Sequence, residues 1–385
     1  MKVRSLLWYI FIIIILPACA TKPPPLVMVA PETESGTAHE IIVATSREPV
    51  GNPTQAYGDE RSDELFFNLV SVWVPEDRQL GSIAYPKGDG DPDRQFGIKQ
   101  FENIPRQNAK SLINERLARL PGEKSLFLFV HGYNVPYSSG VYRTGQILND
   151  FENSSVAVHF SWPSKGTSTG YMYDRDSVQF SRDSFVELLT VLGSSDASSI
   201  FVMGHSMGTL LVMEGLRQLS LTGETAILEK IEPLVLASPD IDVDVFERQI
   251  ESLGVRPDPI VVFVASDDRA LRLSERLRGG HPRVGEGADI AALQDAGVTV
   301  IDLSDVELGD GNQHSAFASS PELIRLILQG RTAQDTLGDA DAPQAYLSSN
   351  VWSSLPTGSY ICRLPCLISN KGPLKRQQTM QRPPE

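Results

Sequence analysis

The chain has 385 residues and carries 34 Lys and Arg against 48 Asp and Glu, a formal net charge of −14 at pH 7. That length holds one large α/β domain or two small ones. The acidic balance excludes nucleic acid as a partner, because phosphate contacts need clustered Lys and Arg, and it argues equally against electrostatic adhesion to anionic lipid.

Residues 1–20, "MKVRSLLWYIFIIIILPACA", place Lys2 and Arg4 before an apolar run from Leu6 to Leu16. Eleven apolar residues are too few to span a bilayer, which needs about 20, and suit a signal-peptide core. The closing "LPAC" resembles the bacterial lipobox, which implies cleavage after residue 18 and lipidation of Cys19. Ala20 is not the aspartate that favours inner-membrane retention in enterobacteria, so the expected location is the outer membrane, facing the periplasm. Residues 19–39, rich in Pro, Thr and Glu, read as a flexible tether.

From residue 40 to 330 the pattern is that of one α/β domain. "EIIVAT" and "LFFNLVSVWVP" read as leading strands, and 107–119 as a helix. Strands are expected at 124–132, 155–163, 199–203, 233–240, 259–268 and 298–305, with helices at 175–192 and 209–219. Continuous apolar strands alternating with helices predict a mostly parallel sheet covered on both faces. After residue 331 periodicity is lost, and 331–385 reads as a flexible tail. Within it, Cys362 and Cys366 in "YICRLPCLI" leave a small disulfide ring open, since an exported protein meets an oxidising compartment. There is no HExxH, and two cysteines make a poor zinc site, so no metal and no cofactor are expected.

The sharpest motif is "GHSMG" at 204–208, preceded by the apolar run Ile200–Met203 and followed by an apolar helix. Strand, tight turn and helix is what a nucleophile elbow requires, with Gly204 and Gly208 flanking a strained Ser206. A serine nucleophile needs a base and a group to orient that base. On a sheet of this kind they follow in the order serine, acid, histidine at the ends of later strands. His314, in the Gly- and Asp-rich "LGDGNQHSAFASS", is the candidate base; His205 adjoins the serine and its side chain is expected to point elsewhere. His281 sits on a loop between helix and strand, while His39, His131 and His159 precede the elbow. For the acid, Asp268 has the spacing from its strand that usually carries it, with Asp267 beside it and Asp240, Asp242 and Asp244 after the previous strand as alternatives. An oxyanion hole needs two backbone N–H donors, expected from Met207 and, after "FVHG", from Tyr133.

With these residues in place the chain resembles an α/β hydrolase of the esterase/lipase type, and more narrowly a bacterial family of such hydrolases with undefined substrates. The likeness rests on "VATSREP", "YGDERS", "LFLFVHGYN", "HFSWPSKG", "GHSMG", "ASDDRAL", "RVGEG", "DLSDVE" and "HSAF". It implies the single-domain α/β-hydrolase fold and hydrolytic chemistry, and brings no substrate with it. Only some 20 residues separate the strands at 233–239 and 259–265, enough for one helix and no large cap domain. The pocket walls are then expected from the loop after Tyr133 and from "WPSKGTSTGYMYDRDS", with Trp162, Tyr171 and Tyr173 as candidate aromatics and a small acyl ester as substrate. Two other readings share these features: a non-catalytic cell-envelope lipoprotein that uses the fold for binding, and an acyltransferase with the same triad. Oligomeric state is not legible.

Overall fold

The computed structural model describes residues 23–30, 35–304, 313–320 and 361–363. Residues 1–18 with their signal pattern, Cys19 and Cys366 lie outside the described residues.

Ten strands form one sheet: β1 (Gly36–Pro49), β2 (Tyr57–Pro75), β3 (Gly97–Ile104), β4 (Ser125–Val130), β5 (Val156–Ser161), β6 (Ser199–His205), β7 (Ile231–Ala237), β8 (Ile260–Val264), β9 (Thr299–Asp302) and β10 (Ile361–Arg363). Their order across the sheet is β10-β9-β8-β7-β6-β4-β5-β1-β2-β3. The pairings from β10 to β1 are parallel, whereas β1 with β2 and β2 with β3 are antiparallel. The region 40–122 thus supplies an antiparallel edge to the same sheet and not a separate module.

The apolar run of β4 shows why both faces must be covered. Leu126, Leu128 and Val130 join one buried cluster, and Phe127 and Phe129 join the other. Alternate side chains of a strand point to opposite faces, so a run apolar at every position needs helices above and below. Burying each such side chain contributes roughly 1.5–3 kcal/mol. The first face is covered by α1 (Ala109–Ala118), α3 (Tyr171–Gly193) and α4 (Met207–Thr222). The second is covered by α2 (Tyr137–Asp150), which supplies Val141, Tyr142, Ile147 and Leu148. The short α5 (Thr225–Leu228), α6 (Val243–Glu251), α7 (Arg269–Leu277) and α8 (Ile290–Asp295) follow, and α9 (Ala316–Ser319) closes the described domain. Between β7 and β8 stands α6 alone, so no large cap domain is inserted there.

Two expected boundaries are corrected. The tether expected over 19–39 is not free along its described part: Leu26 is buried, Val29 donates to the Ile98 carbonyl at 2.9 Å, and β1 begins at Gly36. Val27 and Val29 answer the edge strand β3 with backbone hydrogen bonds, which composition in Pro and Thr does not reveal. Within the expected tail, residues 361–363 pair with β9 in parallel register, Cys362 opposite Ile301.

Candidate active site

β6 ends at His205, α4 begins at Met207, and Ser206 between them has φ 52° and ψ −126°. A non-glycine residue at positive φ is strained and persists only where its surroundings hold it. Here the Ser206 N–H donates to the Ala237 carbonyl at 2.9 Å, and the Ser206 carbonyl accepts from the Thr209 N–H at 3.0 Å and the Thr209 hydroxyl at 2.6 Å. Gly208 is fixed by a close approach, since a Cβ there would overlap the carbonyl oxygen of His131. At Gly204 the fit is looser, with Thr209 Cα 3.1 Å from where a Cβ would stand. The turn after β4 therefore lies directly against the elbow, and a Cβ on Gly132 would come within 2.7 Å of Ser206 Cβ.

That turn carries Tyr133, whose hydroxyl donates to the Thr167 carbonyl at 3.3 Å and whose ring meets Tyr171 edge-on at 5.5 Å. Among the described residues neither the Tyr133 nor the Met207 backbone N–H has a hydrogen-bond partner, so both donors are unspent beside the serine. Asn134, at φ 60°, donates its N–H to Asp174 Oδ2 at 3.0 Å, and the Val135 N–H donates to Ser164 Oγ at 3.0 Å.

Asp268 stands at the start of α7 and is fully buried. Its Oδ1 accepts from the N–H groups of Ala270 (2.9 Å) and Leu271 (3.1 Å), and its Oδ2 lies 2.7 Å from His314 Nδ1. Burial pushes this carboxyl up, but His314 and the two amides outweigh it and hold it below its usual range. His314 lies in the turn Gln313–Ser315 with its side chain 14 % exposed. The alternatives are occupied elsewhere or open to solvent. Asp240 accepts from Tyr171 Oη at 2.9 Å and Ser274 Oγ at 2.5 Å, Asp242 caps α6, and Asp244 and Asp267 are exposed.

His205 has its own partner in the histidine turn. Its ring turns toward the histidine turn: Nε2 lies 2.9 Å from the His314 carbonyl oxygen, and its ring centre is 4.8 Å from those of His314 and Phe317. A carbonyl only accepts, so Nε2 carries the proton. Burial and the neighbouring His314 push this imidazole down to about 3.

Among the expected wall aromatics, Trp162 is fully buried, stacks on His131 at 4.8 Å and donates from Nε1 to the His131 carbonyl at 2.8 Å. It supports the turn from behind and lines nothing. Tyr173 packs on Arg61 and donates to the Asp59 carbonyl at 2.8 Å, leaving Tyr171 as the one beside Tyr133.

Arg47 and Asp174 are the residues sequence reasoning passed over. Arg47 is fully buried and donates to the carbonyls of Gly58 (2.9 Å), Ser164 (3.2 Å) and Val135 (2.7 Å) and to Ser161 Oγ (3.0 Å), with His131 Nε2 at 3.4 Å. Burial pushes its guanidinium down to about 10. Sequence carried little signal for it, since Arg47 follows the polar Thr45 and Ser46 at the end of β1.

Comparison with known proteins bears on the family. Among solved structures the chain is similar to a dienelactone hydrolase from Anabaena variabilis, with 9% identity over 77% of this chain and 94% of that one and a TM-score of 0.33. It is also similar to an esterase of Rhizomucor miehei (13% identity, 78% and 84% covered, TM-score 0.33) and to carboxyl esterase 2 of Tuber melanosporum (14%, 82% and 93%, TM-score 0.33). At such TM-scores the likeness carries no weight on substrate. No curated protein matches. The model of one family matches residues 106–331, more than half of the chain and the stretch that holds the elbow, Asp268 and His314. The chain therefore belongs to the family described as alpha/beta hydrolases of unknown function, DUF900.

Proposed function

We propose that this α/β hydrolase is a serine esterase, cleaving a carboxylic ester or thioester through an acyl-enzyme. The observation that carries the reading is the 2.7 Å contact between His314 Nδ1 and buried Asp268 Oδ2, on the chain that also holds Ser206 at φ 52°. The carboxylate fixes the tautomer that leaves His314 Nε2 free of a proton, so Nε2 is the atom that takes one.

In this reading the Ser206 hydroxyl attacks the acyl carbon while its proton passes to His314. The carbonyl oxygen becomes an oxyanion held by the Tyr133 and Met207 N–H groups, and each such donor is worth about 3 kcal/mol. Collapse of the tetrahedral adduct expels the alcohol or thiol, protonated by His314. Water, activated by the same imidazole, then releases the acid. Asp268 stays ionised and steadies the imidazolium in both halves.

The lipobox-like "LPAC" supports a lipid anchor on Cys19 and a place on the outer membrane facing the periplasm. Treatment with a fluorophosphonate followed by intact mass tests the chemistry. The expected result is one adduct on the wild-type chain and none on Ser206→Ala. An adduct that survives in Ser206→Ala, or none on the folded wild-type chain, overturns the reading.

A further inference from the structure

Ser206 and Asp268 are each held by the sheet, one at the end of β6 and the other one turn beyond β8. His314 has no such support, because it lies beyond β9 on a single turn followed by the four-residue α9. Something must fix this turn if its imidazole is to serve the serine with sub-ångström accuracy. Three hydrogen bonds between described residues bear on it. Gln146 Nε2 donates to the Ala318 carbonyl at 2.9 Å, which pins the far end. Asp268 holds the imidazole itself. The remaining contact reaches the backbone of His314, and it comes from the residue before the nucleophile.

We infer that His205 is a positioning residue, whose Nε2–H tethers the His314 carbonyl to the end of the elbow strand and so sets the separation of base and nucleophile. The inference rests on the proposed serine chemistry. His205 is joined to Ser206 by one peptide bond, so a hydrogen bond from its ring to the His314 backbone is a short rigid path between the two reacting groups. Its ring also packs on the His314 ring and on buried Phe317, which limits rotation of the turn about that bond. Its other face lies against the turn after β4, where a Cβ on Gly132 would stand 2.9 Å from His205 Nδ1. One side chain thus touches the elbow, the β4 turn and the histidine turn together.

Tethering also asks that the ring stay uncharged, since His314 gains a proton during turnover and a second cation 4.8 Å away would oppose it. The ring is held in its neutral Nε2–H form by its surroundings, with His314, Arg143 and Asp268 the charged or titratable groups around it.

Two substitutions separate tethering from packing. His205→Phe keeps an aromatic ring of similar size and loses the donor; His205→Gln loses the ring and places an amide N–H near the position of Nε2. Labelling of Ser206 by the fluorophosphonate is timed in both, with thermal unfolding recorded, and amide hydrogen exchange of 313–320 is followed in parallel. The expected result is labelling slowed about 10- to 100-fold in His205→Phe with faster exchange across 313–320, both largely restored in His205→Gln. Wild-type labelling and exchange in His205→Phe, or a Gln variant worse than the Phe variant, overturns the inference while leaving the serine chemistry intact. Absence of labelling in the wild-type chain instead overturns the serine reading, and the exchange comparison still decides the tether. Should His205→Phe fail to fold, His205→Met takes its place as the variant without a donor.

Discussion

At Asp268 the two carboxylate oxygens do different jobs, Oδ1 capping α7 and Oδ2 facing His314. Asp268→Asn keeps an oxygen for the cap and loses the charge that fixes the imidazole. The expected result is a fall in turnover of about 10³- to 10⁴-fold, read by ester hydrolysis, with a melting temperature close to that of the wild-type chain. Asp268→Ala should lose the cap as well, a further cost of about 1 kcal/mol seen in denaturant unfolding. Gly208→Ala acts through the backbone, because its methyl has nowhere to go but into the His131 carbonyl. It should destabilise the fold by about 2–4 kcal/mol by the same measurement. Asp268 and His314 were legible as partners because strand order and spacing constrain which carboxylate can meet which histidine. His205 was not, since adjacency to Ser206 says nothing of where an imidazole two rotatable bonds long will turn.

Among the elements, the turn from His131 to Pro136 is held from behind by Arg47 on β1 and Asp174 on α3. Arg47→Met should strip donors from the carbonyls of Gly58, Ser164 and Val135, leaving the buried Ser164 carbonyl without this partner. A loss of about 3–5 kcal/mol is expected in urea unfolding, and Arg47→Lys should not restore it, because one ammonium cannot span a fork of acceptors. The motif after β4 was readable, but its support was not, since it comes from residues 84 and 40 positions away along the chain. α2 also escaped the sequence reading. Gly140 and Gly145 weaken its helical signal, and both are pressed against side chains of the sheet, His159 and Val72. At this scale packing overrides propensity.

For the whole molecule, acid should be the weak side. His131 and His159 are fully buried, and burial pushes His131 well below the usual imidazole range and His159 down to about 3. The unfolded chain takes up these protons near pH 6.5, whereas the folded chain refuses them until far lower. Stability is therefore present in full above about pH 6.5 and falls as the pH drops toward 3, by up to about 1.4 kcal/mol per pH unit for each histidine. Melting curves between pH 7.5 and 5 should show this slope, and His159→Asn, which keeps a donor for the Phe129 carbonyl, should flatten it. The sheet itself was largely legible: continuous apolar strands from 124 onward announce burial on both faces. The positions of β1 to β3 at its edge were not, because antiparallel pairing over such distances leaves no local trace.

Of the three side chains proposed to react, His314 takes its place only when the segment 313–320 seats on the sheet. Its seat is made by His205 and by Gln146, with the Ser319 carbonyl pressed on Gly81. Those contacts exist only once β2, α2 and β6 are in place. A half-assembled chain would carry a serine and a carboxylate with no base between them. Under the proposed serine chemistry, reactivity would then be a sign of completed assembly, and a misfolded copy would be chemically mute.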